Sequence, residues 1–285
     1  MKTIVSDCMS YLKTEKSLSQ NTLTSYERDI RQYVAYLAKK GIKDTHDADK
    51  QTIDLYIQDL TSAGKSPSTI SRCAASIRIF YRYLIRNDRV DGNPIADLEA
   101  PKVTPKSPDV LSEKELMILM NHHCDSGIKN IRDRMIICLM YKTGIKVSEL
   151  ISLNIGDVDF KAGCLHGKKG RNIRSAPIYK SCMDSLVEYI AHSRPYLLKE
   201  SSETALFINS SGKRLTRQGV WKILKKYSKQ ACLGRNITPY TLRHTLAADM
   251  IKRGSDLSEV QSILGNSTKA TLIKYNRVNS TDELH

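Results

Sequence analysis

The chain has 285 residues, 40% of them hydrophobic, and a formal net charge of +15 at pH 7. This length is sufficient for one large domain or two ordinary domains with buried cores. No apolar run approaches the roughly 20 residues of a membrane span, and the N-terminus lacks the continuous apolar segment of a secretory signal. We therefore expect a cytoplasmic protein that does not bind a membrane.

The positive charge is concentrated in the C-terminal part of the chain. Residues 1–108 contain 17 Lys and Arg against 13 Asp and Glu, whereas residues 109–285 contain 28 against 17. A basic protein of this size commonly binds nucleic acid, because cationic side chains neutralise phosphates. The alternative is that the charge serves solubility alone.

Three helices are predicted before a proline-rich segment. In the first, apolar residues recur at spacings of three and four from Leu23 to Leu37, with Ser19 as N-cap and Gly41 as the stop. The second covers roughly residues 50–62, and the third begins near Pro67. The segment APKVTPKSP at 100–108 is typical of a linker, because its three prolines remove backbone donors and stiffen the chain. We predict a helical domain over 1–99 and a second domain over 109–285.

The second domain is predicted to be mostly helical with one small sheet. Ser112 and Glu115 have the spacing of a capping box at a helix start, and a buried helix is predicted to end at Gly144. Residues 157–178 change to short strand-like pieces with glycine- and lysine-rich turns, which predicts an antiparallel hairpin with its tip at KKGRN. Helices are predicted again in the segments TRQGVWKILKKYSKQA, PYTLRHTLAADMIKRG, LSEVQSILGN and STKATLIKYNRV.

Neither a metal nor a cofactor is predicted from the motifs. The stretch HHCD at 122–125 has no second group of ligands at the usual spacing, and the seven cysteines include no CxxC pair, which favours reduced thiols. The sequence contains no P-loop, no GxSxG and no carboxylate cluster placed for magnesium. NTP hydrolysis, serine-hydrolase chemistry and two-metal nuclease chemistry are therefore disfavoured.

The remaining polar candidates form an ordered series that resembles the tyrosine recombinases of the Xer and phage-integrase type. The resemblance covers nearly the whole chain. It begins with LSQNTLTSYERDIRQYVAYL and SPSTISRCAASIRIFYRYL and continues through TGIKVSELISLNIGDVDF, GKKGRNIRSAPI, LTRQGVWKILKKY, TPYTLRHTLAADMIKRGSDLSEVQSILGN and ATLIKYNRV. It implies a helical SAM-like N-terminal domain and an integrase-type catalytic domain that grip double-stranded DNA. It also implies site-specific strand exchange by a tetramer on two DNA sites, without metal or nucleotide.

The resemblance also implies a role for each residue of the site. Tyr275 matches the nucleophile that forms a 3′-phosphotyrosyl link, Lys169 matches the lysine that protonates the leaving oxygen, and Arg243 matches the second phosphate-binding arginine. Three family positions are substituted, by Lys146 for the first arginine, Tyr240 for a histidine and Asn266 for a histidine or tryptophan. Each substituted side chain still has a hydrogen-bond donor.

Two basic helices are the candidate DNA-contacting elements. The helix after Pro67 has an apolar face and an arginine stripe, which could lie along phosphates or be an ordinary solvated face. The other helix covers about residues 216–231. The candidate contacts are Arg72, Arg78, Arg82, Arg217, Gln218 and Lys222.

Three functions remain open from the sequence. The first is a working recombinase or integrase with an atypical active site. The second is a related DNA-binding protein that no longer cuts and acts as a regulator or accessory factor. The third is an enzyme that nicks and reseals DNA with the same residues and weak sequence preference. Of the three, we favour the recombinase, because the tyrosine, the hairpin lysine and the second arginine are all present.

Overall fold

The computed structural model describes residues 2–15, 18–101, 107–121, 127–169 and 172–265. The chain divides into two compact units, Met1–Pro105 and Lys106–His285. The predicted domain limits at residues 99 and 109 stay predictions, since part of the segment between them lies outside the described ranges. No helix in the described ranges combines the length and the apolar character needed to cross a membrane.

Within the described residues, the N-terminal unit contains four helices: α1 (Lys2–Glu15), α2 (Gln20–Lys39), α3 (Lys50–Ser62) and α4 (Pro67–Arg86). Ser19 caps α2 as predicted, because its side-chain oxygen accepts a hydrogen bond from the Thr22 amide at 3.2 Å. Ser66 caps α4 in the same way, immediately before Pro67 at the first helical position. The helix α1 was not predicted from the sequence, although its residues Val5, Cys8 and Leu12 are buried and have helical spacing.

A group of tyrosines in tilted and edge-on ring contacts forms the centre of this unit. Tyr33 of α2 and Tyr81 of α4 are fully buried, and their hydroxyls lie 2.8 Å apart in a hydrogen bond. The ring of Tyr56 from α3 lies 5.2 Å from that of Tyr33, a normal aromatic contact distance. Three helices are therefore joined through aromatic rings at the centre of one core.

A buried ionic contact lies beside this core. Asp29 of α2 is only 2% exposed, and it accepts hydrogen bonds from Arg72 and from Ser76 of α4. A buried carboxylate without such donors would destabilise the fold, because it would lose its water without compensation. Arg72 therefore contributes to the packing of α2 on α4.

The C-terminal unit begins with helices α5 (Glu113–Asn121), α6 (Ile128–Thr143) and α7 (Val147–Ser152). The predicted capping box is confirmed, because the Glu115 amide donates to the Ser112 hydroxyl and the Ser112 amide donates to the Glu115 carboxylate. After the sheet come α8 (Lys180–Glu188), a π-helical turn (Tyr189–Ser193) and α9 (Arg194–Leu197). The last described elements are α10 (Arg217–Gln230), α11 (Pro239–Lys252) and α12 (Leu257–Leu264).

The sheet has the strand order β1–β2–β3 and is antiparallel, as predicted. Its strands are β1 (Val158–Asp159), β2 (Cys164–Lys169) and β3 (Asn172–Pro177). Lys169 pairs with Asn172 at the last described register of the hairpin. The lysine therefore lies at the end of β2, next to the two tip residues that lie outside the described ranges.

Gly144 ends α6 in a conformation that favours glycine. Its φ is +59°, in the left-handed region where a side chain collides with the backbone. A Cβ at this position would lie 2.9 Å from the Cδ2 atoms of both Leu246 and Leu264. The glycine therefore permits both the turn and the close approach of α11 and α12.

We expect the substitution Gly144→Ala to lower the free energy of unfolding of the C-terminal unit by about 1–3 kcal/mol. The alanine would experience left-handed strain and would force two buried leucines to move. Urea unfolding followed by circular dichroism measures the effect. Gly234→Ala is the matched control, because Gly234 has φ +65° but a Cβ added there would meet no atom within 4 Å. Equal losses for both variants would contradict the packing argument.

We also expect Arg72→Ala to lower the free energy of unfolding of the N-terminal unit by about 1–3 kcal/mol, because Asp29 would lose a charged donor. Arg82→Ala is the control, since Arg82 is exposed on the same helix and its loss should change stability by less than about 0.5 kcal/mol. The measurement is chemical denaturation of both variants. An unchanged stability of Arg72→Ala would show that the buried contact is not structural.

Candidate active site

Arg243 is the best defined of the candidate catalytic residues. It lies in the first turns of α11 and is buried, with 8% of its surface exposed. Its Nη1 donates to the carbonyl of Gly144 and its Nη2 donates to the carbonyl of Leu264. These two bonds use two of the five donor hydrogens of a guanidinium and fix its plane. The turn after α6 and the end of α12 are thereby joined to α11.

Thr238 and Pro239 explain why α11 begins where it does. The Thr238 hydroxyl accepts a hydrogen bond from the Thr241 amide at 3.0 Å, and Pro239 occupies the first helical turn. Thr241 in turn donates to Asp109 at 2.7 Å. The helix start is therefore fixed from two sides, and Tyr240 and Arg243 project from a rigid first turn.

Lys146 lies two residues after Gly144, at the N-cap of α7, and is half-buried. Its amide donates to the Glu149 carboxylate at 2.9 Å. Glu149 thereby holds the start of α7 through that hydrogen bond. Because Arg243 binds the carbonyl of Gly144, the backbone around Lys146 is fixed directly to the buried guanidinium.

Tyr240 and His244 lie one turn apart on α11. Tyr240 is 65% exposed, and its ring centroid is 6.3 Å from that of the half-buried His244. Burial, together with the nearby charge of Arg243, lowers the pKa of His244 below its usual value near 6.5. The imidazole is therefore mainly neutral at pH 7, and the exposed Tyr240 side chain is accessible to a ligand.

The other candidate catalytic residues are less completely described. Lys169 is located through its strand pairing, at the end of β2. Asn266 and Tyr275 lie outside the described residues, although Leu264, whose carbonyl binds Arg243, precedes Asn266 by two positions. The structure thus places Arg243 against the turn that leads to Lys146, and it places Tyr240 three residues before Arg243 on α11.

The arginine stripe of α4 is largely engaged within its own unit. Arg78 donates to the carbonyl of Leu98, and Arg86 donates to the Tyr11 hydroxyl at 2.6 Å. Arg82, in contrast, is exposed. The role of Arg72, Arg78 and Arg82 as DNA contacts stays a prediction, and for Arg72 and Arg78 the structure adds an intramolecular role.

The candidate contacts on α10 form a continuous exposed face. Val220, Ile223 and Leu224 are buried on one side of this helix. The other side exposes seven polar or cationic side chains and Trp221, which is 45% exposed. These seven are Arg217, Gln218, Lys222, Lys225, Lys226, Lys229 and Gln230.

Two backbone groups that contact Arg243 were not foreseen from the sequence. Gly144 was predicted from the sequence only as the end of a helix, whereas its carbonyl accepts a hydrogen bond from the buried guanidinium of Arg243. The contact with Leu264 was not predicted, because an apolar side chain does not indicate that the backbone carbonyl of the same residue binds an arginine. A glycine two residues before a candidate phosphate-binding residue was the available signal for the first group.

Known proteins match this chain in both of its units. The phage integrase family matches residues 109–282, and the phage integrase N-terminal SAM-like domain matches residues 7–88. The tyrosine recombinase XerD of Oceanobacillus iheyensis is 38% identical over 277 residues, covering 96% of this chain and 93% of the relative. The XerD of Staphylococcus epidermidis is 35% identical over 282 residues, covering 99% and 96%.

A solved structure shows the same fold. The XerH site-specific recombinase bound to a palindromic difH substrate aligns with a TM-score of 0.76 and 19% identity, covering 98% of this chain and 84% of that chain. Its similarity extends over both units of the sequence. The family matches, the two relatives and this fold together show that the chain belongs to the tyrosine recombinases of the phage integrase family.

Proposed function

We propose that this protein is a site-specific recombinase that cuts and rejoins double-stranded DNA through a 3′-phosphotyrosyl link at Tyr275. The observation that best supports the proposal is the fixed guanidinium of Arg243. It is buried and oriented by the carbonyls of Gly144 and Leu264, and it lies next to the backbone that carries Lys146. A preorganised cation of this kind stabilises charge on a phosphate in the transition state.

The remaining groups supply the other parts of the reaction. The Tyr275 hydroxyl attacks the scissile phosphorus, and Lys169 donates a proton to the 5′-oxygen that leaves. Tyr240 donates a hydrogen bond to a phosphate oxygen through its hydroxyl. Asn266 donates through its amide.

Lys146 is the weak element of this site. An arginine holds two phosphate oxygens with a planar fork, whereas a lysine offers one compact charge. Lys146 retains the attraction for the phosphate and loses the two-point orientation. The energy of the cleaved phosphodiester bond is retained in the phosphotyrosyl link, so the reaction needs no nucleotide. An active site that reacts slowly because of Lys146 can therefore still complete strand exchange.

The exposed face of α10 is our proposed phosphate- and groove-contacting surface. Its cations alternate with a polar glutamine and an exposed tryptophan, on a helix whose other side is buried. Phosphate contacts of this kind position a protein on the duplex, and base contacts then specify the site. By likeness to the family, we further propose assembly as a tetramer on two DNA sites.

A related protein that binds DNA without cutting is not favoured. Relatives named tyrosine recombinases align over nearly the full length of this chain. The substituted positions also retain polar side chains with donors, which favours a phosphate site that is still in use.

We expect Lys146→Arg to increase the rate of covalent attachment to a nicked suicide substrate that carries the cognate site, by up to about 10²-fold. The added fork would restore two-point binding of the phosphate in the transition state. The measurement is the amount of protein–DNA adduct against time on a denaturing gel. Lys252→Arg is the control, since Lys252 is exposed at the end of α11 and should leave the rate unchanged.

If Tyr275 is the nucleophile, the substitution Tyr275→Phe must abolish the adduct both in the wild-type protein and in the Lys146→Arg variant. Tight DNA binding without any adduct, in the wild type and in Lys146→Arg alike, would contradict the recombinase proposal. If the adduct forms at the same rate in the wild type and in the Lys146→Arg variant, the recombinase proposal stands. The proposal that the lack of a guanidinium at position 146 slows cleavage would then be contradicted.

We expect Lys222→Ala to weaken binding to duplex DNA of any sequence and to reduce the slope of log affinity against log salt by about 1. The reason is that one phosphate-neutralising cation is lost. Fluorescence anisotropy over a range of salt concentrations measures both quantities.

Lys226→Ala is a matched control on the same helix. Lys226 Nζ donates to Asn130 at 2.9 Å and lies 3.7 Å from an Asp133 carboxylate oxygen, so its charge is already paired within the protein. Its loss should leave the salt slope unchanged. A similar change of slope for both variants would argue against a specific phosphate contact at Lys222.

A further inference from the structure

Three potential metal ligands meet on the paired strands β1 and β2, and none of them belongs to the candidate active site. Asp159 of β1 and Cys164 and His166 of β2 each present one ligand atom, and the three atoms all lie within 4.8 Å of one another. The Cys164 Sγ is 3.5 Å from His166 Nε2, which in turn is 3.8 Å from Asp159 Oδ2. We call these three residues the sheet cluster.

The backbone explains why the three side chains converge. Asp159 pairs directly with Cys164 across the β1–β2 ladder. Side chains alternate along a strand, so Cys164 and His166 project from the same face of β2. The cluster therefore follows from strand register, and a shift of register by one residue would disperse it.

The Asp159 carboxylate is oriented before any ligand binds. Its Oδ1 accepts hydrogen bonds from the amides of Lys161 at 3.0 Å and Ala162 at 2.8 Å. The amide bonds lower the pKa of Asp159, so the carboxylate is ionised at neutral pH. Its Oδ2 is the oxygen that faces His166. Ligands whose second atoms are hydrogen-bonded in this way are typical of metal sites.

The spacing matches a tetrahedral zinc site. With Zn–S near 2.3 Å and Zn–N and Zn–O near 2.0–2.2 Å, tetrahedral ligand atoms are about 3.3–3.8 Å apart. The two measured separations of 3.5 and 3.8 Å are of this size. The side chains of His166 and Asp159 are 42% and 40% exposed, so an ion can reach them from solvent.

We propose that the sheet cluster is a binding site for a thiophilic divalent transition metal, with Zn²⁺ as the ion it fits best. The Cys164 thiolate, His166 Nε2 and Asp159 Oδ2 supply three ligands, and a water completes the tetrahedron. Binding releases the thiol proton to solvent, because the thiolate is the ligand. Magnesium and calcium fit poorly, since they take oxygen ligands in larger number.

The site is placed to stabilise the strand that ends in Lys169. A metal bound by both strands would join β1 to β2 three residues before that lysine, and would thereby restrain the base of the hairpin. This consequence for Lys169 rests on the proposed function, whereas the metal site itself does not.

The test uses the full-length protein without a histidine tag, stripped of metal and kept reduced. Titration with Co²⁺ should produce the near-ultraviolet thiolate band and the visible bands of a tetrahedral site, and Zn²⁺ should remove both. Isothermal titration with Zn²⁺ should give one ion per chain at the cluster. We expect Cys164→Ser and His166→Gln each to weaken Zn²⁺ binding by at least about tenfold, by comparison with changes at ligand-orienting positions.

Two controls distinguish the cluster from other thiols and imidazoles. Cys232→Ser removes an exposed free cysteine and should leave Zn²⁺ binding unchanged. The triple change His122→Ala, His123→Ala and Cys124→Ser removes the HHCD stretch and should also leave it unchanged. Binding that survives Cys164→Ser and His166→Gln, or that is lost in the triple variant, would overturn the proposal.

Hydrogen exchange gives a second readout, which is the location of the bound ion in the sequence and not its affinity. In the wild type, Zn²⁺ should slow exchange of the amides in residues 158–166, and in Asp159→Asn and His166→Gln the protection should be reduced or absent. Circular dichroism of each variant establishes that it is folded. Protection confined to other segments in the wild type would contradict the assigned location.

Discussion

The buried guanidinium of Arg243 is the interaction on which the candidate site depends. It donates to the carbonyls of Gly144 and Leu264, so it joins the α6–α7 turn, α11 and the end of α12. Burial of a cation is costly unless it is hydrogen-bonded, and the two carbonyls meet that requirement. The same contacts that make the burial tolerable also orient the guanidinium, so the stability of the fold and the phosphate recognition that we propose depend on one residue.

Gly144 is the backbone counterpart of that arrangement. Its left-handed conformation turns the chain from α6 into α7, and the absence of a Cβ admits Leu246 and Leu264 at close range. Lys146 then begins α7 with its amide held by Glu149. Lys146 therefore lies on a rigid backbone, and the loss of two-point phosphate binding that we propose for it follows from its side-chain chemistry.

The two units use cations differently. In the N-terminal unit, Arg72 satisfies a buried aspartate, and Arg78 and Arg86 donate to groups of their own unit. On α10, the exposed face carries cations opposite a buried apolar face. A row of basic residues on a helix can thus bind groups of its own unit or be available for phosphates. The two cases are distinguished only by whether residues far away in the sequence lie within hydrogen-bond distance of the basic side chains. This difference makes α10 the stronger candidate for DNA contact.

Local pattern was sufficient for much of the fold, because caps, periodicity and strand alternation act within a few residues. The Ser19 cap, the Ser112–Glu115 capping box, the antiparallel hairpin and the helix starting at Pro239 were all predictable on that basis, and α1 was missed although its buried residues have helical spacing. Contacts between residues far apart in the chain were not predictable. The carbonyls that bind Arg243, the partners of Arg72 and Arg78, and the convergence of Asp159 on His166 all depend on tertiary packing or strand register, which local sequence preferences do not specify.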